Sequence, residues 1–348
     1  MKKSFYIVFS VLLFFASESA IAQMSRKSIK KNNKRISSYR GKKEWFGKEK
    51  RYQTLGISLN ALNYYGDLAP KPNKFSTDIT FTRPAIGLSY SHRFGPRYSI
   101  VGSFMYGTLK GADSESADEN DLDNGLYRYQ RNLSFRNRIK ELSLVASFDL
   151  FSNMHTYISR VKWTPYAFAG VAGFLHNPQA QVPETDLKGN PLPNGGEWVN
   201  LQSLGTEGQH ATLLETDVNS GIKPYKKLQI AIPFGFGVRF RLNEMLDLSA
   251  ELGFRYLFTD YIDDVSTSYI DPALFNNYLP ADQVVIAQQM MYRENFYNPS
   301  INRPYINTQR GDPTENDAFF SGILRFGWRI NSAEDRLAKK QMRCPVFY

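Results

Sequence analysis

Residues 228 to 258 read Leu228-Gln229-Ile230-Ala231-Ile232-Pro233-Phe234-Gly235-Phe236-Gly237-Val238-Arg239-Phe240-Arg241, then Leu242-Asn243-Glu244-Met245, then Leu246-Asp247-Leu248-Ser249-Ala250-Glu251-Leu252-Gly253-Phe254-Arg255-Tyr256-Leu257-Phe258. Every even-numbered position of the first and third segments is apolar, while the odd positions carry mostly Gly, Ser, Gln, Arg, Asp and Glu. Side chains alternate across a strand, whereas a helix would spread the same pattern around its surface. The segment therefore predicts two antiparallel strands joined at Asn243-Glu244. One face is suited to lipid and the other to a cramped polar lumen, as in a transmembrane β-barrel.

Six further segments repeat the pattern. Thr54–Asn63 sets Leu55, Ile57, Leu59 and Ala61 against Thr54, Gly56, Ser58 and Asn60. In Ala85–Phe94, Ile86, Leu88 and Tyr90 oppose Gly87, Ser89, Ser91 and Arg93, and Gly95-Pro96 makes a tight turn. Tyr98–Thr108 carries Ile100, Phe104 and Tyr106 on one face. Ile139–Leu150 sets Leu142, Leu144, Ala146 and Phe148 against Glu141, Ser143, Ser147 and Asp149. Trp163–Leu175, rich in Ala and Gly, is a strand whose two faces the pattern leaves open. Phe319–Ile330 places Phe320, Leu324, Phe326 and Trp328 outside, with Ser321, Arg325 and Arg329 inside.

The expected fold is thus all-β: a transmembrane antiparallel barrel of eight strands. Connections after the second, fourth and sixth strands are short, and those after the first, third, fifth and seventh are long and polar. Short periplasmic turns and long external loops are the rule for bacterial barrels, so both termini are expected in the periplasm and the long loops are expected to be structureless. A soluble sandwich or lipocalin-like barrel would also alternate, but its outward polar face should be rich in Lys, Glu and Thr.

The ends agree with export. Lys2 and Lys3 precede an apolar run from Phe5 to Ala16, and Ala20-Ile21-Ala22 offers a cleavage site before Gln23. Residues 1-22 read as a signal peptide, 23-51 as a basic flexible periplasmic arm, 52-331 as the barrel and 332-348 as a basic periplasmic tail. No cysteine stands directly after the cleavage site, so a lipid anchor is not expected. Nor is there an apolar run of the roughly 18 residues that a membrane helix needs. The formal charge of +10 is concentrated in the arm, which includes Lys30, Lys31, Lys34 and Arg35 and has too little apolar surface to fold alone. Export argues against nucleic acid as its target.

Eight strands enclose a space that side chains fill. Glu141, Asp149, Asp247 and Glu251 facing Arg93, Arg239, Arg241, Arg255, Arg325 and Arg329 predict a paired plug, because unpaired charges at that depth are costly. For an enzyme, the candidate is a hydrolytic site built from His176 or His210 with Asp260, Asp263 and Asp264, but the spacing does not require one. His92 is expected on the lipid-facing side near a membrane edge and His155 in a periplasmic turn. The aspartates lack the spacing of a calcium loop, and they read as an acidic solvated loop. No catalytic residue, cofactor or metal is expected. Cys344, the single cysteine, stands after Arg343 and close to Lys339 and Lys340. It reads as a free thiol or as one half of an intermolecular disulfide with a periplasmic partner.

Asn63-Tyr64-Tyr65-Gly66-Asp67-Leu68, Phe254-Arg255-Tyr256-Leu257-Phe258-Thr259-Asp260-Tyr261-Ile262-Asp263-Asp264-Val265-Ser266 and the terminal Arg343-Cys344-Pro345 resemble the PorG-like outer-membrane barrels, the family of unknown-function barrel domains numbered 6089. The resemblance implies a component of the type IX protein secretion system, associated with a periplasmic ring of the lipoprotein PorK and its partner PorN. The arm and the tail, with Cys344, would be the docking elements. Two rival readings remain open: an OmpA-like structural or adhesive barrel whose loops bind a ligand outside the cell, and a narrow channel whose conductance would change when Glu251 or Arg255 is neutralised.

Overall fold

The structure, a computed structural model, describes residues 46–47, 50–69, 81–118, 120–122, 125–156, 159–185, 189–192, 194–293 and 306–330. Eight long strands form the barrel: β1 (Tyr52–Tyr65), β2 (Arg83–Arg93), β3 (Tyr98–Ala112), β4 (Ser134–Asp149), β5 (Trp163–Leu175), β8 (Leu228–Arg241), β9 (Leu246–Leu257) and β10 (Ala318–Ile330). All neighbours are antiparallel. Pairing of β1 with β10, from Gln53↔Ile330 to Tyr65↔Ala318, closes the sheet on itself and leaves no barrel edge. Two short strands in the loop after β5, β6 (Pro178–Gln181) and β7 (Trp198–Asn200), extend the sheet outward from β4.

Burial turns the alternation into geometry. Leu55, Ile57 and Leu59 of β1, Ile86 and Leu88 of β2, Leu142 and Leu144 of β4, Phe234 and Phe236 of β8, and Leu252 of β9 are all exposed, while the residues between them are mostly buried. A chain that turns its leucines outward and its Ser, Glu and Arg inward has its apolar solvent outside. Tyr90, Phe94, Tyr98 and Trp163 stand exposed toward the short-turn end, and Tyr106, Tyr256 and Phe258 toward the loop end. These are the two aromatic girdles of an outer-membrane barrel, framing an apolar belt. No helix among the described residues is long and apolar enough to cross a membrane. In β5 the even positions Tyr166, Phe168 and Phe174 are buried in the lumen, and Trp163, Val171 and Leu175 face out, which fixes the register that the sequence leaves open.

Membrane embedding gives a direct expectation. Leu252, opposite Phe236 at mid-height and 60% exposed, replaced by Arg, should destabilise the barrel in a bilayer by about 2–4 kcal/mol. Urea unfolding from lipid vesicles measures it. An unchanged midpoint would mean that this surface does not face lipid.

Two expectations need correction. Strands β3 and β4 outrun the alternating segments, because the ladder continues through Thr108↔Arg138, Lys110↔Arg136 and Ala112↔Ser134. There the outward residues turn cationic, so the apolar signal stops while the backbone pairing does not. The loops are also not structureless. Ala180, Val182, Leu192, Leu201 and Leu204 from the β5–β8 loop pack against Tyr269, Ile270, Phe275, Val284, Ala287, Met290 and Met291 from the β9–β10 loop. This second apolar core contains the helix Ala281–Met291 and the 3-10 turn Pro272–Asn277. It exists because these loops carry enough apolar surface to bury against each other.

Candidate functional site

The lumen is filled in layers. At the short-turn end Asp149, fully buried, accepts from Arg93 at 2.6 Å and Arg239 at 3.4 Å. Asp247 pairs at 2.5 Å with Arg160, a residue of the β4–β5 turn that its sequence context did not single out. Tyr52 lies beneath the guanidinium groups of Arg93, Arg160 and Arg329, each about 5.8–5.9 Å from the ring centre. At mid-height Glu251 accepts from the Tyr166 hydroxyl at 2.7 Å and pairs with Arg325 at 2.8 Å. Above it Glu141 pairs with Arg255 at 3.3 Å, and Arg255 also donates to Ser321. Arg241 is only partly buried at the rim. Two lumen cavities of about 30 and 40 Å³ lie between these layers, each with room for a water or two.

Next comes an apolar layer toward the loop end: Leu62, Met105, Leu109, Ile139, Phe174, Leu257 and Phe319. Tyr64 sits edge-on to Phe135 at 4.8 Å and lifts its hydroxyl out of this layer. That hydroxyl lies 2.7 Å from Asp263 Oδ2 and 2.8 Å from Asp317 Oδ1. A phenol has one proton to give. The second contact is a hydrogen bond only if one of the two carboxyls carries a proton. The other oxygen of each is already used, Asp317 Oδ2 by the Ile262 N–H at 2.7 Å and Asp263 Oδ1 by the Val265 N–H at 2.9 Å.

Two of the three stretches that carry the family resemblance therefore meet in space. Gly66 stands two residues after Tyr64, where any Cβ would collide with the Tyr64 hydroxyl and Asp317. Tyr65 beside it is partly buried. Asp67 accepts two contacts from the Asp312 N–H, at 3.0 and 3.2 Å. Asp264 accepts from the Tyr225 hydroxyl at 2.6 Å and the Thr206 hydroxyl at 2.5 Å. The Asp260–Asp264 stretch is thus not a solvated acidic loop: Asp263 is 1% and Asp264 0% exposed. Loop closure over the barrel mouth buries them. Burial raises the carboxyl of Asp263 to about 8, and that of Asp317 well above the ordinary range, each reinforced by the charge of the other or of Asp67. Asp260, likewise desolvated and beside Asp263, is pushed up to about 9.

Charges that the sequence reading passed over clasp the four long loops together. Arg131, from the helix Gly125–Arg131, donates to Asp113 at 2.7 Å, to the Asp67 carbonyl at 2.9 Å and to the Arg310 carbonyl. Glu207, fully buried, accepts from Arg310 at 2.7 Å, the Thr267 hydroxyl at 2.7 Å and the Ser266 N–H at 2.9 Å. Glu207 is placed by Gly205 and Gly208, both at positive φ (63° and 87°), so a Gly-x-x-Gly turn was its one legible signal.

The histidines do not join the aspartates directly. His176 bonds the Lys226 carbonyl at 3.0 Å and stacks on Tyr225, so a tyrosine stands between it and Asp264. Burial lowers its imidazole to about 4. His210 bonds the Gln202 carbonyl at 2.9 Å and packs on Tyr278. Among the described residues no group of three His, Cys, Asp or Glu is placed to hold a metal ion. The docking candidates Lys30, Lys31, Lys34, Arg35, Lys339, Lys340, Arg343 and Cys344, like the signal segment, lie outside the described residues.

No curated protein matches the chain. Among solved structures it is similar to OprG of Pseudomonas aeruginosa (8% identity, 82% of this chain and 98% of that one, TM-score 0.34) and to Neisserial surface protein A (9%, 80% and 97%, 0.34). A major outer membrane protein from Thermus thermophilus is a third (12%, 80% and 99%, 0.32). The model of one family, a domain of unknown function (DUF6089), matches residues 44–190, less than half of the chain.

Proposed function

We propose that this chain is a non-enzymatic outer-membrane component of the type IX protein secretion machinery that anchors or positions a periplasmic ring complex of the PorK and PorN kind. The observation that supports it best is the filled lumen. Among the described residues, ion-paired layers cross the lumen at three heights with cavities of about 30 and 40 Å³ between them, so the barrel suits a fixed support in the membrane better than a conduit for polypeptide. The Thr-Asp-Tyr-Ile-Asp-Asp-Val-Ser stretch and the match over residues 44–190 favour this family over other eight-stranded barrels. In this reading the basic arm and tail face the periplasm, and Cys344 bonds a ring subunit.

The test compares tagged wild-type protein with Cys344→Ser on non-reducing gels and in pull-downs from outer membranes. The expected result is a reducible higher-mass band containing a ring subunit, absent from the variant. A lone monomer with no copurifying secretion component sinks the docking reading.

The folded cap favours a second reading, a structural or adhesive barrel that binds a ligand at its loop end. Removal of residues 272–291 discriminates the two: secretion persists if the barrel is an anchor, and ligand binding is lost if it is an adhesin.

A further inference from the structure

On the outward faces of the eight barrel strands, charged side chains occur at four positions only among the described residues: Lys110, Arg136, Arg138 and Lys140. All four are cations. All stand on β3 and β4, in the last rungs at the loop end. Lys140 is opposite Tyr106, Arg138 opposite Thr108 and Arg136 opposite Lys110, so the four form one stripe directly beyond the last lipid-facing pair, Phe104 and Leu142. Elsewhere around that rim the outward strand positions are uncharged among the described residues, with Pro84, Tyr256 and Phe320 among them, while Lys226 and Lys227 stand exposed in the loop just before β8.

We propose that this stripe binds the phosphate groups of a phosphorylated lipid in the leaflet at the loop end of the barrel.

Height is the first argument. From Lys140 to Arg136 the strand rises about 14 Å, and with the usual barrel tilt this spans roughly 10 Å along the membrane normal. That begins at the edge of the hydrocarbon layer and crosses the headgroup region. Charge is the second. Lys110 is paired with Glu115 at 2.7 Å, but Arg136, Arg138 and Lys140 have no carboxylate partner among the described residues. Three like charges on one face, about 7 Å apart in sequence along the strand, repel one another unless an anion lies between them. Preorganisation is the third. The Arg136 guanidinium lies 3.5 Å over the Trp198 ring and donates to Gln179 at 3.2 Å, which holds its planar fork in place. A fixed arginine fork matches phosphate oxygens bidentately. The acyl chains of such a lipid would run down past Phe104, Leu142 and Leu144, all exposed.

The inference does not depend on the secretion reading. Its test uses the purified full chain in nanodiscs and three probes: diphosphorylated lipid A, the same lipid with both phosphates removed, and inorganic pyrophosphate. Wild type should retain lipid A on the order of 10- to 100-fold better than Arg136→Gln/Arg138→Gln/Lys140→Gln, and the two chains should not differ for the dephosphorylated lipid. The replaced side chains lie on the barrel surface, and heat-dependent gel migration verifies that the variant folds. A second variant, Lys223→Gln/Lys226→Gln/Lys227→Gln, removes the same charge from an exposed loop and should bind as wild type does. Equal retention by wild type and the stripe variant overturns the proposal. So does equal loss in the loop variant, which would reduce the effect to net charge. Pyrophosphate binding as tight as lipid A would assign the stripe to a soluble anion instead.

Discussion

Glu207→Ala should open the loops to protease while the barrel stays folded. Glu207 has 0% and the Arg310 side chain 1% exposure, so the substitution leaves a buried guanidinium without its carboxylate partner, with the Asp264 carbonyl still accepting from it. It also removes the acceptor from the Ser266 N–H and the Thr267 hydroxyl. Breaking one partner of a buried pair costs about 3–5 kcal/mol. None of these groups belongs to the barrel ladder, whose pairing from β1 round to β10 is separate. The loss should therefore fall on the cap. Limited proteolysis should cut within 259–293 or 306–317 at least tenfold faster than in wild type, with heat-dependent gel migration unchanged. Glu207→Gln keeps one acceptor oxygen and should lie between the two. A wild-type digestion pattern in the alanine variant would mean that the loops are held by their apolar core alone.

The barrel was legible because its information is local. A period of two is written into Leu228–Phe240 and Leu246–Tyr256, and burial follows it along nearly the whole of both strands. Alternation failed at β5, where Ala and Gly occupy both faces, and at the tops of β3 and β4, where Arg136, Arg138 and Lys140 replaced the apolar residues that mark a strand. In both places backbone pairing, not side-chain polarity, carries the strand.

The lumen was legible as a set of charges but not as pairs. Glu141, Asp149, Glu251 and the arginines stood on predicted inward faces, yet which meets which depends on barrel curvature and strand stagger. Asp247 pairs with Arg160, 87 residues away and outside any strand. The cap was hidden for a stronger reason. Buried charges in it, such as Glu207 and Arg310, are 103 residues apart, and a polar loop with buried charges looks in sequence like a polar loop in water. The family-like stretches around Tyr64 and Asp263 pointed to the right place without showing that they touch.

That contact makes the cap's stability depend on pH in an unusual direction. Native carboxylates commonly have lowered pKa values, and stability falls in acid. Here Asp263 is raised to about 8 from an ordinary value near 4 because the closed loops exclude water from it. Between those values the closed cap holds a proton that the open form has released, so the closed state is favoured below the window and loses stability as pH rises through it. The slope is about 1.4 kcal/mol per pH unit for each proton held. His176, lowered to about 4 by burial, acts in the opposite sense, but only below its ordinary value near 6.5. From pH 6.5 to 8 the carboxyls act without it. Hydrogen exchange at the Ile262 and Val265 amides, which donate to Asp317 and Asp263, should lose roughly tenfold or more in protection over that interval after correction for intrinsic exchange. Asp263→Asn, which carries the needed donor at every pH and can still accept from Val265, should make the profile shallower by about one proton's share, leaving that of Asp260. Protection that is constant or rises from pH 6.5 to 8 in the wild-type chain would show that neither carboxyl holds the proton the Tyr64 geometry demands.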